Sequence, residues 1–179
     1  MLIELKERML RPQRRTLAVA ESLTCGRVQA RIGQISGASE FFLGGITTYS
    51  LDQKVRHLGV DRAGASAVNS VSAAVAEQMA RGVCALFGSE LGLATTGYAE
   101  PFDPAQGGPV AAAQGGVSPA VGIVQPFAWW ALVHELGGGR RTVRSGRIDR
   151  PGATRTQVQE KVAEVVIAEL VDYLRQIRG

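Results

Sequence analysis

The chain has 179 residues, 45% of them hydrophobic and 20% charged, with a formal net charge of +4. That length suits one domain whose core needs no metal, and two cysteines, Cys25 and Cys84, supply no disulfide framework. No apolar run reaches the roughly 18 residues of a membrane span, and "MLIELKERMLRPQRR" lacks the apolar stretch of a secretory signal, so a cytoplasmic protein with reduced thiols is expected.

In chain order, residues 2–11 predict a short amphipathic helix stopped by Pro12. Leu17 to Ala20 is a continuous apolar run of the kind buried on both faces of a parallel sheet, and a helix over 23–34 follows it. "FLGGITTYS" (42–50) predicts the second strand, and "LDQKVRHLG" a helix closed by Gly59. In "NSVSAAVAEQMARGVCALFG", Val71, Val75, Met79, Val83 and Leu86 recur at helical spacing, with Ser70 or Ser72 as cap and Gly88 as stop. "LGLATTG" reads as another buried strand. "FAWWALVH" and "RRTVRSGRI" read as an antiparallel pair turned by Gly137-Gly138-Gly139. A last helix, about 153–177, sets Val158, Val162, Val165 and Leu170 on one face. The order predicts an α/β protein, a three-layer α/β/α arrangement around a mixed, partly parallel sheet. Residues 99–126 hold five of the seven prolines and two copies of "AQGG", which predicts a flexible Pro/Gly/Ala-rich insertion loop.

Ligands of such sheets sit beyond the carboxyl ends of the parallel strands, which singles out the loops 21–26, 49–54 and 95–101. The first runs through "AESLTCG", a serine at a strand-to-helix turn followed by small residues. Ser22 there has two readings: a helix N-cap, or a nucleophile whose oxyanion is held by the amides at the helix start. Histidine is scarce as a base, since only His57 and His134 exist, at a helix end and a strand end where surface or edge positions are expected. No G-x-S-x-G elbow, P-loop or G-x-G-x-x-G is present, and no group of residues has metal-ligand spacing. The remaining base is a lysine that loses its proton through burial, and Lys54 follows Tyr49 by five residues. On the residues alone, the weightier reading of Tyr49 and Lys54 is an ordinary strand end and an exposed helix position. The six arginines between Arg140 and Arg155 read as a solvated strand face or as a phosphate-binding patch.

"AESLTCG", "GASEFFLGGITTYSLDQKVRHLGV" and "ATTGYAEP", in that order, resemble the CinA C-terminal domain, the nicotinamide-nucleotide amidohydrolase family. The resemblance implies one catalytic domain over 1–179 that deamidates nicotinamide mononucleotide to nicotinic acid mononucleotide and ammonia. It implies no cofactor and no metal. Ser22 matches the serine of A-E-S-x-T-G-G and would be the nucleophile. Tyr49 and Lys54 match Y-S-N-x-x-K, with Lys54 the base and Tyr49 assisting. Thr24, Cys25 and Gly26 would support the oxyanion and substrate, Thr96 and Gly97 would line the pocket, and Arg155, one residue out of register with a late G-D-R motif, would meet phosphate.

The sequence departs from the pattern at Cys25, where the family carries glycine, at Leu51 for asparagine, and at Tyr98 and Glu100, where small residues usually stand. Those departures keep two further readings open: a catalytically silent ligand-binding or regulatory module on the same fold, or an amidohydrolase with another substrate. The expected partner is a small nucleotide-like molecule, with no membrane; nucleic acid, through the arginine run, is the least favoured reading, since no recognised nucleic-acid motif is present. "PFAWWAL" suits a homo-oligomer contact or the core.

Overall fold

All five residues of β1 (Leu17–Glu21) are buried, as a strand between two parallel neighbours requires. β2 (Phe42–Thr47) lies on one side and β3 (Leu91–Tyr98) on the other, both parallel to it. β4 (Phe127–Glu135) and β5 (Arg141–Asp149) continue the sheet antiparallel, giving the order β2-β1-β3-β4-β5. The computed structural model describes residues 1–101 and 124–177. Most of the segment 99–126, for which flexibility is expected, lies outside them.

Side-chain size alternates with the pleat and gives the sheet two unlike faces. Leu17, Val19, Leu91, Leu93, Trp130 and Leu132 point into one core, under α1 (Leu2–Leu10), α2 (Arg27–Gly33) and α6 (Arg155–Gln176). Ala18, Ala20, Ala94 and Ala131 point into the other, under α3 (Leu51–Leu58), α4 (Arg62–Ala67) and α5 (Ala73–Phe87). The small face lets α5 approach closely: a Cβ on Gly92 would lie 2.1 Å from the Ala80 carbonyl oxygen. The result is the expected three-layer α/β/α arrangement.

Several expectations need correction. α2 starts at Arg27 rather than residue 23, and β2 ends at Thr47, because Ser50 leaves the strand to cap α3 by accepting from the Gln53 amide. α4 was not foreseen; Asp61 caps it through the Gly64 amide. Ser72, not Ser70, caps α5. The inner stripe of α5 passes through Ala76, Ala80 and Cys84, leaving Leu86 exposed, and Val166 replaces Val165 on the inner face of α6. His134 is no edge residue: it is buried beneath α6, shares a 2.8 Å hydrogen bond with Tyr173, and has its pKa lowered by burial. His57 is exposed beside Gln53.

The arginine run resolves into individual partners. Arg141 pairs with Glu135, Arg144 with Asp172, and Arg147 with Asp149 while its guanidinium stacks 3.9 Å from the Phe127 ring centroid. Charge along β5 suits a sheet edge, where it discourages pairing with another strand. Trp130 is core, and Trp129 packs partly buried on the opposite face. Among the described residues, no helix is long and apolar enough to cross a membrane.

Candidate active site

β1 leads to α2 on one face of the sheet and β2 leads to α3 on the other, so their carboxyl ends open a crevice. A cleft of about 700 Å³ occupies it. Ser22 and Leu23 enter from the end of β1, Tyr49 to Asp52 and Lys54 from the start of α3, and Gly97 to Pro101 from the end of β3. Arg62, Ser66 and Asn69 to Val71, from α4 and the turn after it, close one side, and Arg155 at the start of α6 closes another.

Ser22 extends β1 by one residue, its amide donating to the Thr95 carbonyl, and is buried. Capping α2 is not its work. Glu21, fully buried, accepts from the amides of Gly26 and Val28 through Oε2 and of Gln29 through Oε1, at 2.9, 3.2 and 2.9 Å. A carboxylate so placed satisfies donors that the helix start leaves open and offsets its dipole. The turn itself is tight: Cys25 and Gly26 both have positive φ, 49° and 91°. Gly26 takes that region without strain, whereas Cys25 carries a side chain there at some cost. The Cys25 amide donates to the Ser22 carbonyl. The Thr24 hydroxyl is buried against that of Thr95, 2.8 Å away. Thus Thr24, Cys25 and Gly26 build the turn without lining the cleft. Among the described residues, the amides of Leu23 and Thr24 have no hydrogen-bond partner.

Lys54 is 2% exposed and forms the floor. Its Nζ donates to the Ser70 carbonyl at 3.2 Å and to Thr96 Oγ1 at 3.0 Å, and Thr96 in turn donates to the same carbonyl at 2.8 Å. Among the described residues no carboxylate pairs with the ammonium, and burial brings its pKa down to about 8. Thr96 therefore reaches the site through Lys54 rather than by lining the cleft, while Gly97 lines it. A Cβ on Gly97 would lie 2.3 Å from the Phe127 carbonyl oxygen, so close strand packing demands glycine there.

The rim is polar and exposed. Arg155 donates to the Tyr49 hydroxyl at 2.5 Å and to Glu100 at 2.9 Å. Both partners hold the guanidinium in its charged form, Tyr49 most strongly. Tyr98 stacks edge-on against Phe127 and accepts from Asn69 at 2.6 Å. Arg62 pairs with Asp52 at 2.7 Å. Behind the serine turn, buried Gln159 of α6 donates to the Leu23 carbonyl at 2.8 Å. Sequence reading missed Glu21, Ser70 and Gln159, because each acts through a backbone group that no side-chain pattern announces. No group of three or more His, Cys, Asp or Glu residues able to hold a metal occurs among the described residues.

A fold of this topology, with a serine turn and a buried lysine at the carboxyl end of its parallel strands, defines an α/β protein with a polar cleft at the mouth of its sheet. The family model of the CinA C-terminal domain matches residues 2–151, and the chain belongs to that family. A CinA-like protein of Chlorobium limicola is 34% identical over 172 residues, covering 96% of this chain and 36% of the relative. A putative competence-damage inducible protein of Moorella thermoacetica is 45% identical over 95 residues, covering 53% of this chain and 23% of the relative. The chain thus spans about a third or less of these relatives. Among solved structures, competence damage-inducible protein A from Klebsiella pneumoniae superposes with a TM-score of 0.76 at 24% identity, over 99% of this chain and 96% of that one, a likeness of fold.

Proposed function

We propose that this chain is a serine-dependent amidohydrolase that deamidates nicotinamide mononucleotide or a related pyridine nucleotide, releasing ammonia. The observation that carries the reading is Lys54: a buried lysine with no carboxylate partner among the described residues, its pKa brought down to about 8, on the floor of the cleft that Ser22 enters. Ser70 and Thr96 accept two of its hydrogens, which leaves the lone pair of the neutral amine for a proton from serine. Ser22 Oγ attacks the carboxamide carbon as Lys54 takes its proton. The amide of Leu23, which lines the cleft, receives the oxyanion, a contribution of about 3 kcal/mol for a good donor. Collapse breaks the C–N bond, Lys54 returns the proton to the departing amine, and ammonia leaves. Water then hydrolyses the ester on Ser22, giving the free acid, with Lys54 again as base. Arg155 anchors the substrate phosphate, and Tyr49 orients Arg155. No cofactor and no metal enters this scheme.

The family membership and the retained Ser22, Tyr49 and Lys54 support the reading. Its test is ammonia release from nicotinamide mononucleotide by wild type and Ser22→Ala, each shown to be folded. Release by the wild type alone is expected. Equal release by both refutes the mechanism. The paired state of Arg155 favours one second reading, a silent ligand-binding module; tight binding with no ammonia from wild type would establish it.

A further inference from the structure

Both arginines at the rim are already paired with carboxylates. Arg62 meets Asp52 at 2.7 Å, and Arg155 spends one terminal nitrogen on Glu100 and the other on Tyr49. An incoming anion therefore finds a carboxylate lodged on the guanidinium that would receive it. The Glu100–Arg155 pair is wet, with side-chain exposures of 58% and 43%, so it contributes little to stability and exchanges partners readily. A phosphomonoester dianion offers a guanidinium fork the same paired oxygens as a carboxylate does. To bind, it must displace Glu100 and then sit within a few ångströms of the displaced charge. A phosphate-free amide of the same shape meets neither obstacle.

We propose that Glu100 sets the discrimination of this cleft between phosphate-bearing and phosphate-free amides, by occupying Arg155 and repelling a dianion bound there. The proposal rests on reading the cleft as the amide-binding site. Glu100 reaches Arg155 from the end of β3, 55 residues earlier in the chain, and both line the cleft. Tyr49 holds the other nitrogen, so Arg155 cannot turn away from Glu100 without losing a second hydrogen bond.

The test reads binding and turnover separately, with nicotinamide mononucleotide and its phosphate-free riboside as probes. Calorimetry on Ser22→Ala protein measures binding without turnover. In that background, Glu100→Gln is expected to tighten the mononucleotide about tenfold, as loss of one nearby charge at a partly solvated site allows, while the riboside stays within about twofold. Glu100→Asp is expected to retain the original preference. The proposal is overturned if both probes shift together, if neither shifts, or if neither binds. Ammonia release is then measured with Ser22 present. The expected binding shift without ammonia refutes the amidohydrolase reading and leaves the role of Glu100 standing; ammonia without the shift does the reverse.

Discussion

Lys54 and Arg155 are both cations of one cleft, and they are held in opposite ways. Lys54 lies on the floor, out of water, and its partners among the described residues are a carbonyl and a hydroxyl. Arg155 stands at the rim between a carboxylate and a phenol. The first environment makes the charged form costly and turns an ammonium into a base near neutral pH. The second secures the charge and makes an anchor. Among the described residues, the cation that burial pushes toward the neutral form has no counter-ion, and the cation kept charged has one beside it.

The largest effect is expected at the floor. Lys54→Met is expected to lower amide hydrolysis about a thousandfold, in kcat, since it removes general-base work. The same change should stabilise the fold. With the folded pKa near 8 against 10.5 for a free lysine, the unfolded chain binds the extra proton between those values. Stability of the wild type therefore rises with pH across that window, and below about pH 8 it carries the full penalty. Denaturation at pH 7 should show Lys54→Met more stable by up to about 3 kcal/mol, the gain shrinking to nothing near pH 10.5. A variant less stable at pH 7 would mean that Lys54 is tied down by more than its two hydrogen bonds. The wild-type pH profile of kcat/KM should climb to a plateau with its midpoint near 8.

A smaller effect is expected behind the floor. Gln159→Met leaves the Leu23 carbonyl buried without its donor, which should cost about 1–2 kcal/mol of stability. Because Leu23 follows Ser22 directly, kcat should fall about tenfold with KM little changed, as for a misplaced reacting group. A raised KM with kcat unchanged would place Gln159 in substrate binding instead. The smallest effect belongs to the rim: Tyr49→Phe removes one partner of Arg155 and is expected to raise KM about threefold for a phosphate-bearing substrate, with kcat nearly unchanged. A hundredfold fall in kcat would put Tyr49 into proton transfer and dissolve the division between floor and rim.

Much of the frame was legible because it depends on periodicity. The apolar run at 17–20, the pair 127–134 with 140–148 and the glycine turn between them are local signals, and Gly137, Gly138 and Gly139 all have the positive φ that such a turn requires. The three loops expected at the strand ends do meet in one cleft. What stayed hidden depends on backbone groups and on partners far apart in sequence. Ser22 was read as a cap or a nucleophile because serine before a helix suits both, and nothing in "AES" tells that the neighbouring glutamate reaches forward to three amides. Ser70 looked like a cap, yet its carbonyl is what holds Lys54 and Thr96. Glu100 could be recognised as a departure from the family pattern, but its pairing with a residue 55 positions away could not.

α6 carries more than its share of the core. Its first residue is the rim arginine, its fifth holds the serine turn, and its sixth, Glu160, ties Arg27 and Arg31 of α2. Twenty residues beyond the start, Arg175 grips Glu4 of α1. A 22-residue helix is about 33 Å long. A small roll about the α1 pivot would therefore be felt at the opposite end as a simultaneous displacement of Arg155, the serine turn and α2, so that rim and turn share one shaft.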